Sequence, residues 1–372
     1  MFFTAIKKRI YMPNNFFTLS APEQAALIER SADQLGMPPI IIEKDIWICW
    51  LLEKIFSLTE MQMAFRGGTS LSKVFNLINR FSEDCDISVD YHNFKPDLDL
   101  ENTSRTQLDK KITPELKNKL KIYISETVLP YLKKEINKSL PKGSFDITLN
   151  PNGEELRFYY PSVVSSAFLT TQDGNYLTTE NGDYLVTENN NKNYLKDHVF
   201  IEFGARNSTE PCEKHPLKTY ISDVINVELG LPMPVVNTLS PIRTFFEKLT
   251  LIHVECFKDN TKPTPDRYSR HWYDVYMLNN SWVGIEALSN FEILENVVEH
   301  KKAFFHYSFV DYDDCLSGRL RLIPNENYLK NLEKDYIQMI NAGMFNGTPP
   351  SFKDITNGLS KLEKNINEKL KS

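Results

Sequence analysis

The chain has no run of about 18 apolar residues, so nothing in it reads as a membrane span. Its opening, MFFTAIKKRIYMPNN, lacks the uninterrupted apolar segment of a secretory signal. A cytoplasmic location is expected. Cysteine is sparse and unpaired: Cys49, Cys85, Cys212, Cys256 and Cys315 are scattered and odd in number, the usage of a reducing compartment rather than of a disulfide framework. Cys212 and His215 in PCEKHP have the spacing of half a zinc site, but no second pair follows. Positive charge is not in surplus either. A formal net charge of -6 argues against a protein that coats nucleic acid by neutralising many phosphates. The lysine-rich stretch from Lys110 to Lys142 is balanced by Glu115, Glu126 and Glu135, as on a solvated helix face. Also missing are the GxxxxGK[ST] and GxGxxG patterns, which removes the signatures of P-loop and dinucleotide-binding folds.

What is present is a chain of 372 residues, long enough for two parts, since single cores stop growing near about 250 to 300 residues. Ser20 with APEQAALIERSADQLG predicts a capped amphipathic helix, and PPIIIEKDIWICWLLEKIF a second that starts on proline. MAFR reads as a strand, SLSKVFNLIN as a helix with Leu71, Val74, Phe75 and Ile78 on one face, and CDISV as a strand. Thr113-Pro114-Glu115 predicts a long helical segment bent at Pro130. FDITL, EELRFYYP and HVFIEFGA predict further strands, and from about Ser240 the pattern is helical. The expected architecture is α+β: a mixed-sheet core over residues 1–235 and a mainly helical part over 236–372. Within the first part, LTTQDGNY, LTTENGDY and LVTENNNK repeat with a period of eight residues over 169–192. Asp173-Gly174 and Asn181-Gly182 mark this as an inserted β-hairpin or small meander.

The candidate chemistry lies in GGTSLSKVFNLINRFSEDCD, residues 67–86. A helix opening on Gly67-Gly68 would present unpaired backbone N–H groups to a phosphate, with Thr69 and Ser70 as added hydroxyl donors. On the strand that follows, alternation puts Asp84 and Asp86 on one face and Cys85 on the other. Two carboxylates side by side repel unless a cation lies between them, and hard oxygen ligands suit Mg²⁺ (or Mn²⁺). Phosphate turn and metal-binding Asp-x-Asp together are the minimal apparatus of phosphoryl or nucleotidyl transfer. Lys73 and Arg80, between the two motifs, could contact phosphate or be solvated charges.

FRGGTSLSKVF followed by RFSEDCDISV resembles the nucleotidyltransferase toxins of the AbiEii/AbiGii type, relatives of the MenT toxins within the DNA polymerase β nucleotidyltransferase superfamily. IIEKDIWICWLL, HVFIEFGARN, SPIRTFFEKLTLIH and SRHWYDVYML follow in the order such proteins show. The resemblance implies that Asp84 and Asp86 are the paired metal ligands and that Glu202 is the third, although an edge-strand glutamate facing water is the alternative. It places a triphosphate-holding lysine at Lys248. Asp274 would be a base, an orienter of Lys248, or one end of an i,i+4 ion pair with Arg270. By the same resemblance the substrate is an NTP, the acceptor an RNA with tRNA as first candidate, and the setting a toxin–antitoxin or phage-defence system with a cognate antitoxin. Two other classes remain at this stage: a non-catalytic nucleotide- or partner-binding protein of the same fold, and a transferase or kinase acting on a protein or small molecule.

Overall fold

The computed structural model describes residues 14–140, 144–164, 166–168, 186–188, 196, 198–225, 229–258 and 266–371. Strand β1 (Asn14–Asn15) precedes helix α1 (Ala21–Leu35), which opens with a Ser20–Glu23 capping box and closes on Gly36 in the left-handed region. Helix α2 (Pro39–Ile55) is buried on all sides, as expected of a helix apolar around its circumference. Its first turns nevertheless carry Glu43, Lys44 and Asp45, all buried. Each has a partner: Ser162 for Glu43, Glu83 for Lys44 and Lys73 for Asp45.

Strand β2 (Met63–Arg66), helix α3 (Gly67–Lys73) and strand β3 (Asp84–Val89) follow. The helix expected through Asn79 stops at Lys73, because Asn76 adopts φ +51° and the chain leaves helical geometry. Residues 74–83 instead form a tethered loop. The Tyr273 hydroxyl accepts from the N–H of Asn79, and the N–H of Phe81 donates to the carbonyl of Met344. Leu77, Ile78 and Phe81 anchor it in the core.

The long helical segment begins earlier than Thr113, at Ser104, which caps α4 (Arg105–Gln107). It continues through α5 (Thr113–Tyr123) and α6 (Leu129–Ser139), with π-helical turns at Leu108–Ile112 and Ile124–Val128. The second π turn immediately precedes Pro130, whose missing N–H breaks the regular ladder. Strands β4 (Asp146–Leu149) and β5 (Glu155–Tyr159) come next. Strand β6 (Ser166–Phe168) pairs antiparallel with β7 (Val186–Glu188), bracketing most of the octapeptide repeat, whose remaining residues lie outside those described. Strands β8 (Val199–Gly204), β9 (Cys212–Pro216), β10 (Leu229–Gly230) and β11 (Val235–Leu239) complete the set.

Seven of these strands make one mixed sheet in the order β4-β5-β8-β3-β2-β11-β9. Strands β3 and β8 lie at its centre, parallel to each other, and β2 runs antiparallel to β3. The expected 235/236 boundary falls at the head of β11, which pairs with β2 and β9. Ser240 caps α7 (Pro241–Cys256), its side chain accepting from Ile242 N–H. Helices α8 (Ser269–Asn279), α9 (Trp282–Ala287), α10 (Glu292–Phe304), α11 (Glu326–Asn341) and α12 (Phe352–Lys369) form the C-terminal half. One contiguous buried cluster runs from Trp47 and Ile87 through Phe245 and Trp272 to Leu362, so sheet and helices share a core. Trp47, Trp50 and Trp272 are buried, whereas Trp282 stands 47% exposed.

Candidate functional site

A cleft of about 400 Å³ lies between the sheet and helices α7, α8 and α10. Its floor is set by strand register. Arg66 on β2 stands opposite Asp86 on β3, Asp86 opposite Glu202 on β8, and Glu202 opposite Glu155 on β5. One cross-strand row therefore reads Arg66, Asp86, Glu202, Glu155 across four strands. Asp84, two residues before Asp86, is on the same face, while Cys85 is buried on the other. Strand β8 is central, so Glu202 is not an edge-strand residue; it lines the cleft, exposed to solvent.

The glycine turn ends the same floor. Gly67 has φ +78°, and a Cβ there would sit 2.0 Å from Asp86 Oδ2. A Cβ on Gly68 would meet Arg80 Nη2 at 2.5 Å and Ser82 Oγ at 2.7 Å. Both glycines line the cleft because no side chain fits. Thr69 and Ser70 do not line it. Both are fully buried, the Thr69 hydroxyl donating to Asp84 O at 2.5 Å and the Ser70 hydroxyl to Gly67 O at 2.9 Å. Lys73 is likewise turned away, paired with Asp45, bonded to Lys218 O at 3.0 Å and placed over the Tyr220 ring. Thr69 ties α3 to β3 and Lys73 ties it to α2, whereas the Ser70 bond stays within α3; the structure does not bring these three side chains, expected at the phosphate, to the cleft.

Arg80 does reach the cleft, delivered by the tethered loop. Its guanidinium grips Asp274 through two bonds of 2.7 and 2.8 Å. The other Asp274 partner is Lys248 Nζ at 2.9 Å. Asp274 is fully buried and lies outside the cleft lining, so it holds two cations at the wall. Arg270, one turn before it, pairs with Asp84 Oδ2 at 3.4 Å instead of forming the i,i+4 bridge to Asp274. Lys196 Nζ lies 3.9 Å from Asp84 Oδ1. That buried Oδ1 atom has no hydrogen-bond partner among the described residues.

Charge in the cleft is unevenly settled. Burial, then the Asp84 carboxylate, raises the pKa of Asp86 against Arg66, Arg270 and Lys248. Desolvation within the cleft, then Asp86, pushes Glu202 up to about 7, an effect that water on its open side partly screens. Burial would raise Asp274 too, but Arg80 and Lys248 reverse this and hold its carboxyl well below the usual range. Desolvation lowers Lys248, with Asp274 opposing. It also keeps His271 well below its ordinary value, helped by Lys248 and Arg270, leaving a neutral imidazole 3.4 Å from Lys248 Nζ.

Several residues of the site carried no sequence signal that singled them out. Arg66 immediately precedes the glycines and donates to Glu247 at 2.5 Å, and Glu247 also receives Arg243 at 3.3 Å. Ser82, Arg206, Asn207, Tyr268, Lys301 and Phe305 complete much of the lining. Only Arg270 had a findable clue, its i,i+4 spacing from Asp274.

Mixed sheet, glycine turn, cross-strand acidic row and helical C-terminal half define a nucleotidyltransferase-like fold. Residues 50–357 match the family described as the nucleotidyl transferase AbiEii toxin of type IV toxin–antitoxin systems, and the chain belongs to that family. No curated protein matches it. Among solved structures it is similar to MenT4, a nucleotidyltransferase toxin from Mycobacterium tuberculosis H37Rv, at 15% identity and a TM-score of 0.38, over 95% of this chain and 100% of that one.

Proposed function

We propose that the protein transfers NMP from an NTP to an acceptor hydroxyl, with Mg²⁺ (or Mn²⁺) held by Asp84, Asp86 and Glu202. The observation that carries this reading is the acidic row itself. Like charges are stacked across neighbouring strands, Asp86 and Glu202 hold protons more tightly than usual, and a buried Asp84 oxygen has no hydrogen-bond partner among the described residues. An all-oxygen donor set of this kind fits a hard divalent cation. Among the described residues no group of three or more His, Cys, Asp or Glu side chains is placed to hold a metal ion as it stands, so Asp84, Asp86 and Glu202 would have to draw together around the ion. The bound ion would neutralise charge developing on the transferred phosphoryl group.

The chain supplies the rest. Gly67 and Gly68 let phosphate oxygens approach the backbone, while Arg80, Lys248 and Arg270 provide the positive charge. Helix α3 has seven residues, so these side chains rather than its dipole carry most of the attraction. Asp274 positions Arg80 and Lys248. The acceptor hydroxyl would release its proton to water as its oxygen bonds to the α-phosphorus and the bond to pyrophosphate breaks, and pyrophosphate would depart toward the cationic wall. An RNA acceptor, tRNA first, fits the family's toxin setting, as do a cognate antitoxin, a phage-defence role and a cytoplasmic location; no helix among the described residues is long and apolar enough to cross a membrane.

The test is incubation with Mg²⁺, labelled NTPs and total RNA, beside Asp84→Ala and Asp86→Ala. Wild type should label RNA, and both variants and EDTA-treated protein should not. Equal labelling by wild type and variants would defeat the assignment. Label found only on protein or a small molecule would move the acceptor to another class, and tight nucleotide binding without transfer would mark a binding protein.

A further inference from the structure

Asp84 is the first residue of β3, and the sheet holds it from one side only. It pairs with β8, opposite Phe200, whereas the pairing with β2 begins at Asp86, opposite Arg66. Its own side-chain ion pairs are long, 3.4 Å to Arg270 and 3.9 Å to Lys196. A strand end of this kind is where a ladder frays first. The residue before it supplies the missing anchor. Glu83 is 1% exposed and meets charges from three other parts of the chain. Its Oε2 takes Lys44 Nζ of α2 at 2.5 Å and the Lys196 N–H at 3.2 Å, and its Oε1 is paired with the Arg267 guanidinium. Lys44 also donates to the Lys196 carbonyl at 2.6 Å, so α2, Lys196 and the head of β3 close into one ring of bonds.

A buried ion pair is costly to desolvate, and an apolar pair of the same size is often as stable. Stability alone therefore does not account for Lys44–Glu83 standing beside Asp84. Arg267, on the other side of Glu83, is held under strain: its φ of +63° is a region that disfavours any residue but glycine. The Asp335 carboxylate of α11 keeps it there, accepting from the N–H groups of Arg267 at 2.7 Å and Ser269 at 2.8 Å. Asp335 thereby caps α8, for which Tyr268 supplies no side-chain cap. From this one turn Arg267 reaches Glu83 and Arg270 reaches Asp84, so two cations three residues apart hold carboxylates that are neighbours in sequence.

We propose that Glu83 is a positioning residue for the divalent cation: fastened by Lys44 and Arg267, it fixes the head of β3, so that Asp84 turns its oxygens onto the ion from a set backbone. The assignment rests on the metal reading above and adds what aims the ligand. Glu83 does not touch the ion; it acts through the chain it shares with Asp84. Partners that hold a metal ligand from behind are worth about 10- to 100-fold in affinity.

The test is calorimetric titration of Mn²⁺ into full-length protein, with the urea midpoint measured on each sample. Lys44→Met/Glu83→Leu, Arg267→Ala and Arg267→Lys are compared with wild type. The double variant exchanges the buried pair for apolar side chains of similar size without changing net charge, and its urea midpoint should stay close to wild type. Its Mn²⁺ affinity should nevertheless fall about tenfold. Arg267→Ala removes a positive charge near the ion, which by charge alone would tighten binding. The positioning role predicts the reverse, a loss again of about tenfold, with Arg267→Lys restoring most of it. A folded double variant that binds Mn²⁺ like wild type, or Arg267→Ala that binds it as tightly or more tightly, would overturn the role and leave the metal site standing. If the double variant does not fold, Arg267→Ala decides, since that side chain is partly exposed. Wild type that binds no Mn²⁺ would bring down the metal reading and the positioning role together.

Discussion

Gly67 shows how little freedom the site leaves a single residue. Its φ of +78° already penalises any L side chain by about 1 kcal/mol, and a Cβ would press on Asp86 Oδ2. Gly67→Ala should therefore displace a proposed metal ligand while leaving the core untouched. We expect kcat to fall about a hundredfold, the scale of an ångström misplacement at a reacting centre, with thermal stability only slightly lower. Loss of folding, read by circular dichroism, in place of loss of turnover would contradict this. At the same scale the sequence was readable where a rule acts on adjacent residues. Asp84 and Asp86 share a face because strand side chains alternate, and that needs no partner. The buried hydroxyls of Thr69 and Ser70 were not readable, since a hydroxyl points wherever the folded neighbours offer an acceptor.

Among elements, the tethered loop 74–83 does work that local pattern assigned to a helix. Apolar Leu71, Val74, Phe75 and Ile78 fit a helical spacing, but Asn76 turns the chain and the 344–346 segment captures it. Residues distant in sequence decided that outcome, so no local reading could contain it. The consequence is that Arg80 meets Asp274 of α8, and Asp274 meets Lys248 of α7, locking loop and two helices together at the cleft wall. Asp274→Asn keeps the shape and removes the countercharge of two buried cations. Breaking such a pair costs about 3 kcal/mol or more, so the midpoint of urea unfolding should fall clearly, and the KM for NTP should rise as Arg80 and Lys248 lose their aim. A variant as stable as wild type would show that the two cations find solvent or another partner. Strands were legible for a different reason: MAFR, CDISV and HVFIEFGA are short, β-rich and bounded by turn residues, and all three form.

In the whole molecule, the cleft exists only because the helical half packs on the sheet that carries the acidic row. Composition and order suggested those two layers, and the family's motifs named Asp84, Asp86, Glu202, Lys248 and Asp274. Register supplied what neither could: the placement of Glu202 beside Asp86 and of Arg66 on its other side. That row also sets the pH behaviour. Asp86 and Glu202 have folded pKa values above their unfolded ones, so the ion-free folded chain binds more protons than the unfolded chain. Their contribution to stability is best at low pH and declines as pH rises from the ordinary carboxylate range through about 7 for Glu202. A divalent ion needs the same groups deprotonated, and its binding should expel protons.

Direct measurement of Mn²⁺ binding by electron paramagnetic resonance, at pH 6 and pH 8, therefore tests the central claim without reference to any acceptor. Wild type should bind more tightly at pH 8 than at pH 6, and Asp84→Asn/Asp86→Asn should lose the site at both. Affinity that ignores pH, or that survives in the double variant, would contradict a cation held by this acidic row.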